Sequence, residues 1–109
     1  MIELTDASAD VIAERFSALA EPMRLRLLNA LRKGEMSVGE LAEETGAGQA
    51  NASKHLQLLL QQGFVERRKG GTTTWYKIAD PAVFELCSLV SAGIDKVLES
   101  RRKQLRRRP

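Results

Sequence analysis

Cysteine and histidine each occur once, as Cys87 and His55, and aromatic residues make up only 5% of the chain. One cysteine permits no disulfide within a subunit and removes a Cys-rich zinc framework by count alone. No stretch approaches the roughly 18 uninterrupted apolar residues of a membrane-spanning helix. The opening Met1-Ile2-Glu3-Leu4-Thr5-Asp6 lacks the basic start and apolar run of a signal peptide. A cytoplasmic location, with no membrane partner, is therefore expected. Catalytic constellations are missing too. Ser53 and His55 are two apart on a helix and so point in different directions. Gly46-Ala47-Gly48 lacks the preceding strand and the remaining glycine of a dinucleotide fingerprint. The chain is not expected to be an enzyme or to carry a cofactor.

What is present suffices for one core. At 109 residues and 43% hydrophobic, the chain can bury roughly 60–70% of its unfolded surface, and two independent cores are out of reach. The net charge of +3 hides a strong asymmetry. Six of the 17 basic residues are Arg101, Arg102, Lys103, Arg106, Arg107 and Arg108, so residues 1–100 hold 11 basic against 14 acidic side chains. Within them, segment 49–79 carries Lys54, Arg67, Arg68, Lys69 and Lys77 against Glu66 alone. A nucleic acid backbone suits such a local field, and a solvated basic face is the plainer alternative.

Apolar spacing predicts a first helix over Ser8–Ala20 and a second from Pro22 until Arg32-Lys33-Gly34 stops it, with Leu25, Leu28 and Leu31 on one face. Ser37 and Glu40 have the spacing of a capping box and open a short third helix through Leu41 and Ala42. Gly46-Ala47-Gly48 separates it from a fourth, Gln49 to Gln62, with Ala52, Leu56 and Leu59 or Leu60 facing inward. Two short helices on a tight glycine turn make a helix-turn-helix. Strict alternation then replaces the helical period. Phe64–Lys69 and Thr73–Ile78 read as a hairpin around Gly70-Gly71, whose packing is the expected role of Trp75 and Tyr76. Asp80-Pro81 opens a last long helix with Val83, Leu86 or Cys87, Val90, Ile94 and Val97 in one stripe. The expected fold is mainly α with a β-hairpin wing, a winged helix-turn-helix dimerising through its first and last helices. Residues 1–100 are expected to form the DNA-binding and dimerisation domain, and 101–109 a basic tail that is disordered when nothing binds it.

Four segments in order, Leu19-Ala20-Glu21-Pro22-Met23-Arg24-Leu25-Arg26-Leu27-Leu28, Val38-Gly39-Glu40-Leu41-Ala42, Ala52-Ser53-Lys54-His55-Leu56 and Gly63-Phe64-Val65, resemble the ArsR/SmtB family of repressors. The resemblance spans about residues 10–98. It implies a homodimer, paired through its first and last helices, that blocks transcription at an inverted-repeat operator in double-stranded DNA.

In the recognition helix, Gln49, Asn51, Ser53 and Lys54 lie away from the inward face. Amides can pair with adenine edges, and lysine with guanine or phosphate. His55 is expected to pack first and to contact phosphate second. In the wing, Arg67, Arg68 and Lys69 approach the tip and Thr72 and Thr73 leave it, a composition suited to phosphate contact or minor-groove insertion, and equally to protecting an exposed edge strand.

Many members of the family sense metals. Here Ser37 and Gly39 occupy the two cysteine places of its third-helix motif, and the only histidine is in the recognition helix rather than the last. Asp80, Glu85, Asp95 and Glu99 alone make a weak, unselective site, so no metal is expected. Cys87 reads as a packing residue, with a redox role requiring a partner thiol from outside the subunit. Two other functions stay open: a structural or protein-interaction module on a winged-helix scaffold, and a nonspecific nucleic-acid binder driven by the arginine tail. Effector and operator are unknown at this point, and repression rests on the resemblance.

Overall fold

Thr5 starts the first helix by a reciprocal cap, its hydroxyl accepting from the Ser8 backbone while Ser8 Oγ accepts from the Thr5 N–H at 2.9 Å. In the computed structural model, which describes residues 2–107, helix α1 (Asp6–Leu19) begins two residues earlier than the apolar spacing indicates. Glu21 caps α2 (Pro22–Leu31), its carboxylate accepting from the Arg24 N–H at 3.0 Å, with proline at the first helical position where its missing N–H costs nothing. The expected box opens α3 (Val38–Thr45), with Ser37 and Glu40 exchanging hydrogen bonds of 3.1 Å. Gly46 closes α3 in the left-handed conformation, φ +75°, which a side chain would disfavour. Helix α4 (Gln49–Gln61) follows after two residues.

The strands are Met36–Ser37 (β1), Val65–Gly70 (β2) and Thr73–Ile78 (β3), antiparallel in the order β1-β3-β2. β2 and β3 form the expected hairpin, with Gly70 opposite Thr73 and Gly71 at φ +64°, as a primed two-residue turn requires. β1 is an addition to the expected pair. It sets Met36 opposite Tyr76 and Ser37 opposite Trp75, anchoring the wing to the start of α3.

Leu27, Leu28 and Leu31 of α2, Leu41 of α3, Ala52, Leu56 and Leu59 of α4, Val65 and Tyr76 of the sheet and Val83 of the last helix make the core. Each fully buried aliphatic side chain contributes about 1.5–3 kcal/mol. Leu60 is half-buried, so Leu59 is the inward residue of that pair. The last helix, α5 (Ala82–Arg107), buries Val83 and packs Phe84 and Leu86 against the core, then leaves it. Val90, Ile94, Val97, Leu98 and Leu105 are 44–73% exposed, together with Leu89.

The carboxyl end differs from expectation. Arg101–Arg107 continue α5 as helix instead of forming a disordered tail. Lys, Arg, Gln and Leu are good helix formers, Lys103 pairs with Glu99 one turn back, and cations at a helix C-terminus complement its dipole. Arg108 and Pro109 lie outside the described residues.

Candidate nucleic-acid interface

Burial of Ala52, Leu56 and Leu59 fixes the rotation of α4 and turns Gln49, Asn51 and Lys54 to solvent. Ser53 is half-buried, and with Gln49 and Ala50 it lines one wall of a groove of about 570 Å³. Ser37, Val38 and Gly39 form its floor, and Thr72, Thr73 and Thr74 of the wing its far wall. Four of the expected residues, Gln49, Ser53, Thr72 and Thr73, are thus gathered around one groove, while Asn51, two residues from Gln49, is exposed on another flank of α4. A Cβ on Gly39 would come 3.2 Å from Gln49 Nε2, so the missing side chain leaves room for that amide across the start of α3.

His55 is not among them. Its Nδ1 lies 3.2 Å from Arg24 Nη1 and 3.8 Å from the Glu21 carboxylate. Arg24 also donates from Nε to the Ala18 carbonyl at 2.6 Å and from Nη2 to the Ser17 carbonyl at 3.2 Å. Arg24 therefore ties the end of α1 and the inner flank of α4 through its guanidinium and the cap of α2 through its backbone N–H. His55 is a packing residue of that corner, held at the angle that presents the outer face of α4.

The wing divides its cations. Arg67 and Lys69 are exposed, with no ion pair among the described residues. Arg68 donates from Nε and Nη2 to both oxygens of Glu35 at 2.7–3.1 Å and lies over the Trp75 ring, 5.3 Å from its centroid. This pair holds the Glu35 carboxyl below its ordinary range, chiefly through the hydrogen bond, and raises Arg68 for the same reason. Lys77 meets Glu66 across the hairpin at 3.5 Å. The local positive field is therefore carried by Lys54, Arg67 and Lys69, while Arg68 and Trp75 brace the strand behind them.

The family model for the bacterial regulatory proteins of the arsR family matches residues 21–67, from the cap of α2 into β2. The chain is 39% identical over 80 residues to the "Probable mercury resistance operon repressor" of Streptomyces lividans, an alignment covering 73% of this chain and 64% of that protein, so it spans less than two thirds of that relative. A homodimeric winged helix-turn-helix DNA-binding domain from Mycobacterium bovis superposes with TM-score 0.71 at 37% identity, covering 92% of this chain and 95% of that one. The crystal structure of Rv0081 from Mycobacterium tuberculosis gives TM-score 0.76 at 34% identity, covering 89% and 98%. The chain belongs to the ArsR family. Its fold is the winged helix-turn-helix, and its family is one of transcription regulators rather than enzymes.

Several of the candidate metal donors are already engaged. The Ser37 hydroxyl is used in capping α3, and Gly39 has no side chain to offer. Asp80 pairs with Arg15 and accepts from the Ala82 N–H, and Glu99 pairs with Lys103. No group of three or more His, Cys, Asp or Glu that could hold a metal is found among the described residues. No helix among them is long and apolar enough to cross a membrane. Cys87 is half-buried beside Phe16, Leu19 and Val90 on the apolar face shared by α1 and α5.

Sequence reasoning missed Arg24, Glu35 and Thr74. Arg24 lies inside the first of the family's motifs, and a charged residue beside the buried Leu27-Leu28 pair is a signal of a polar tie. Glu35 gives no such signal, because its partner is 33 residues away.

Proposed function

We propose that this protein is a sequence-specific, DNA-binding transcriptional repressor that binds an inverted-repeat operator as a homodimer in the cytoplasm. The observation that carries the reading is the groove between α4 and the wing, where Gln49 and Ser53 share a lining with Thr72 and Thr73, with Asn51, Lys54, Arg67 and Lys69 exposed on the same two elements. Inserted in a major groove, the amides and Lys54 reach base edges while the wing cations and threonines meet the phosphate backbone. Ser53 sits deeper and serves phosphate or water-mediated contact. His55 acts through Arg24 rather than on DNA, and Arg68 through Glu35 and Trp75.

The second requirement, a partner surface, is met by the exposed apolar residues of α1 and α5, Val11, Phe16, Val90, Ile94 and Val97, each at least half exposed in the single chain. Such a contiguous patch is a liability unless another copy covers it. The homodimeric M. bovis domain and the repressor of S. lividans support the same assignment. We further propose that regulation does not run through the family's thiolate or histidine metal sites, because Ser37, Gly39 and the last helix lack those ligands.

Selection of binding sites from random duplexes tests the proposal. The expected result is one enriched inverted repeat whose half-sites lie about 34–36 Å apart centre to centre, or a multiple of that. Enrichment of nothing, with equal affinity for all duplexes at fixed salt, would overturn it in favour of a nonspecific nucleic-acid binder.

A further inference from the structure

Residues 2–14 contain four acidic side chains, Glu3, Asp6, Asp10 and Glu14, and no Lys or Arg. All four are exposed, and none forms an ion pair among the described residues. Asp6, Asp10 and Glu14 follow at four-residue steps and so share one flank of α1. The opposite pattern ends α5, where Arg101, Arg102, Lys103, Arg106 and Arg107 are exposed and, among the described residues, only Lys103 forms an ion pair, with Glu99 at 3.7 Å.

These two ends cannot meet within one chain. Ile12 shares a cavity with Leu86, near the start of α5, whereas Leu19 and Ala20 at the end of α1 share another that extends to Ile94, so α1 begins toward the start of α5 and not toward its end. The acidic start of α1 and the basic end of α5 therefore point to opposite ends of the molecule. Beyond Ile94, α5 continues for about 20 Å, in keeping with a longest dimension of 65 Å against 37 and 21 Å for the others. This overhang also carries Leu98 and Leu105, 44% and 67% exposed.

We propose that the basic extension of α5 is a dimer clasp, lying against the acidic flank of α1 in a second copy of this chain. The inference rests on the homodimer reading and specifies how the two copies are oriented. A two-fold axis across the shared face reverses the helices, so the basic end of each copy meets the acidic start of the other, twice per dimer. The parallel arrangement sets acid on acid and base on base, which is disfavoured. The apolar residues of α1 and α5 supply buried area, and the charges select direction and register, as flanking charges do in paired helices. Leu98 and Leu105 favour a protein surface over DNA as the occupant, since a phosphate backbone gives them nothing to pack on.

Sedimentation equilibrium of the full chain, at about 50 mM and about 300 mM salt, tests the clasp through four forms: wild type, Arg102→Glu/Arg106→Glu, Asp10→Lys/Glu14→Lys, and the four substitutions combined. At low salt each double reversal is expected to raise the dimer dissociation constant about tenfold, and the combined swap to return it to within about threefold of wild type. High salt is expected to shrink these differences, because exposed charges are screened. Rescue by the swap separates charge pairing from damage to the fold. A wild-type dimer whose dissociation constant none of the variants changes would overturn the clasp alone. If Arg102→Glu/Arg106→Glu leaves dimerisation intact but weakens binding to scrambled duplex, the extension is a DNA arm and the clasp is again overturned. A wild-type monomer at every concentration would overturn the homodimer reading with it.

Discussion

Arg68 and Glu35 form a bidentate pair across 33 residues of chain, with Trp75 beneath the guanidinium. An arginine next to a hairpin tip is on composition a phosphate ligand. Here its Nε and Nη2 donors are engaged by a carboxylate, and the guanidinium lies within cation–π range of an indole. The wing thus commits one cation to its own shape and keeps Arg67 and Lys69 for a partner.

Arg67→Ala and Lys69→Ala are therefore expected to flatten the salt dependence of DNA binding by about one unit for each phosphate left without its cation in the bound dimer, on operator and scrambled duplex alike. Arg68→Ala is expected to change that slope by less than either. Titrations at several salt concentrations check this. An equal or larger slope change for Arg68→Ala would mean that the Glu35 pair opens on DNA.

The same pair sets a pH dependence. Glu35 has a folded pKa below its unfolded value, so its contribution to wing order is present above the ordinary value of 4.5 and is lost as pH falls through the lower, folded one. Trp75 is the only tryptophan, and its fluorescence reports the departure of the guanidinium from its face. A transition below pH 4.5 is expected in wild type and absent in Glu35→Gln. The same transition in both proteins would assign it to another carboxylate.

Arg24 offers a stability test. Its removal leaves the Ala18 carbonyl and His55 Nδ1 without that donor, while the exposed Ser17 carbonyl keeps the Ala20 N–H, and each unsatisfied buried group costs roughly 1–3 kcal/mol, an upper range for a half-buried site. Arg24→Ala is expected to lower the melting temperature by at least about 5 °C at fixed protein concentration. His55→Ala is expected to have a smaller effect, and the two together less than their sum. Arg26, exposed on the same helix, is the control. If Arg24→Ala is no more damaging than Arg26→Ala, the corner is not held by this guanidinium.

How much of the fold and the site is legible in the chain depends on range. The Ser37–Glu40 box, the Gly46 stop and the Ala52-Leu56-Leu59 face are local patterns, and each appears where spacing puts it. β1 escapes because two residues, Met36 and Ser37, carry no alternation to read. The ending of α5 is misjudged because charge density reads as disorder, whereas Arg, Lys and Gln are also strong helix formers and Glu99–Lys103 adds a turn-to-turn pair. The partners of Arg68 and His55 are hidden for another reason. Glu35 reaches Arg68 only through tertiary packing, so adjacency to the wing tip suggests phosphate contact, whereas for His55 packing is the first expectation and only its partner, Arg24, is out of sight.

Zinc, cadmium and arsenite at stoichiometric levels are expected to leave operator affinity within about threefold, a coupling below roughly 1 kcal/mol. Ser37 is engaged as the cap of α3, and Gly39 offers no ligand. A tenfold drop in affinity reversed by chelator would reveal a site built across two copies.

Base reading and mere attraction are separated by Gln49 and Asn51. Both are exposed in the first turn of α4, Gln49 at the groove beside the wing and Asn51 on another flank, and neither carries charge. Gln49→Ala or Asn51→Ala is expected to cost about 1–3 kcal/mol on the operator and little on scrambled duplex, because a base edge is left without its partner while the phosphates keep theirs. Gly39→Val gives an independent test of Gln49. A side chain there begins 3.2 Å from Gln49 Nε2, so the amide has to give by a few tenths of an ångström or more, while the capping Ser37 Oγ, at 3.9 Å, is in ordinary contact. The variant should therefore fold with near-normal helicity and lose operator preference in the same direction as Gln49→Ala, and adding Gln49→Ala to it should cost little more. Additive effects would show that Gly39 serves something other than the placement of Gln49. If Gln49→Ala and Asn51→Ala both leave the ratio of operator to scrambled affinity unchanged, α4 does not read bases, and the preference for one sequence must come from the wing or from the shape of the DNA.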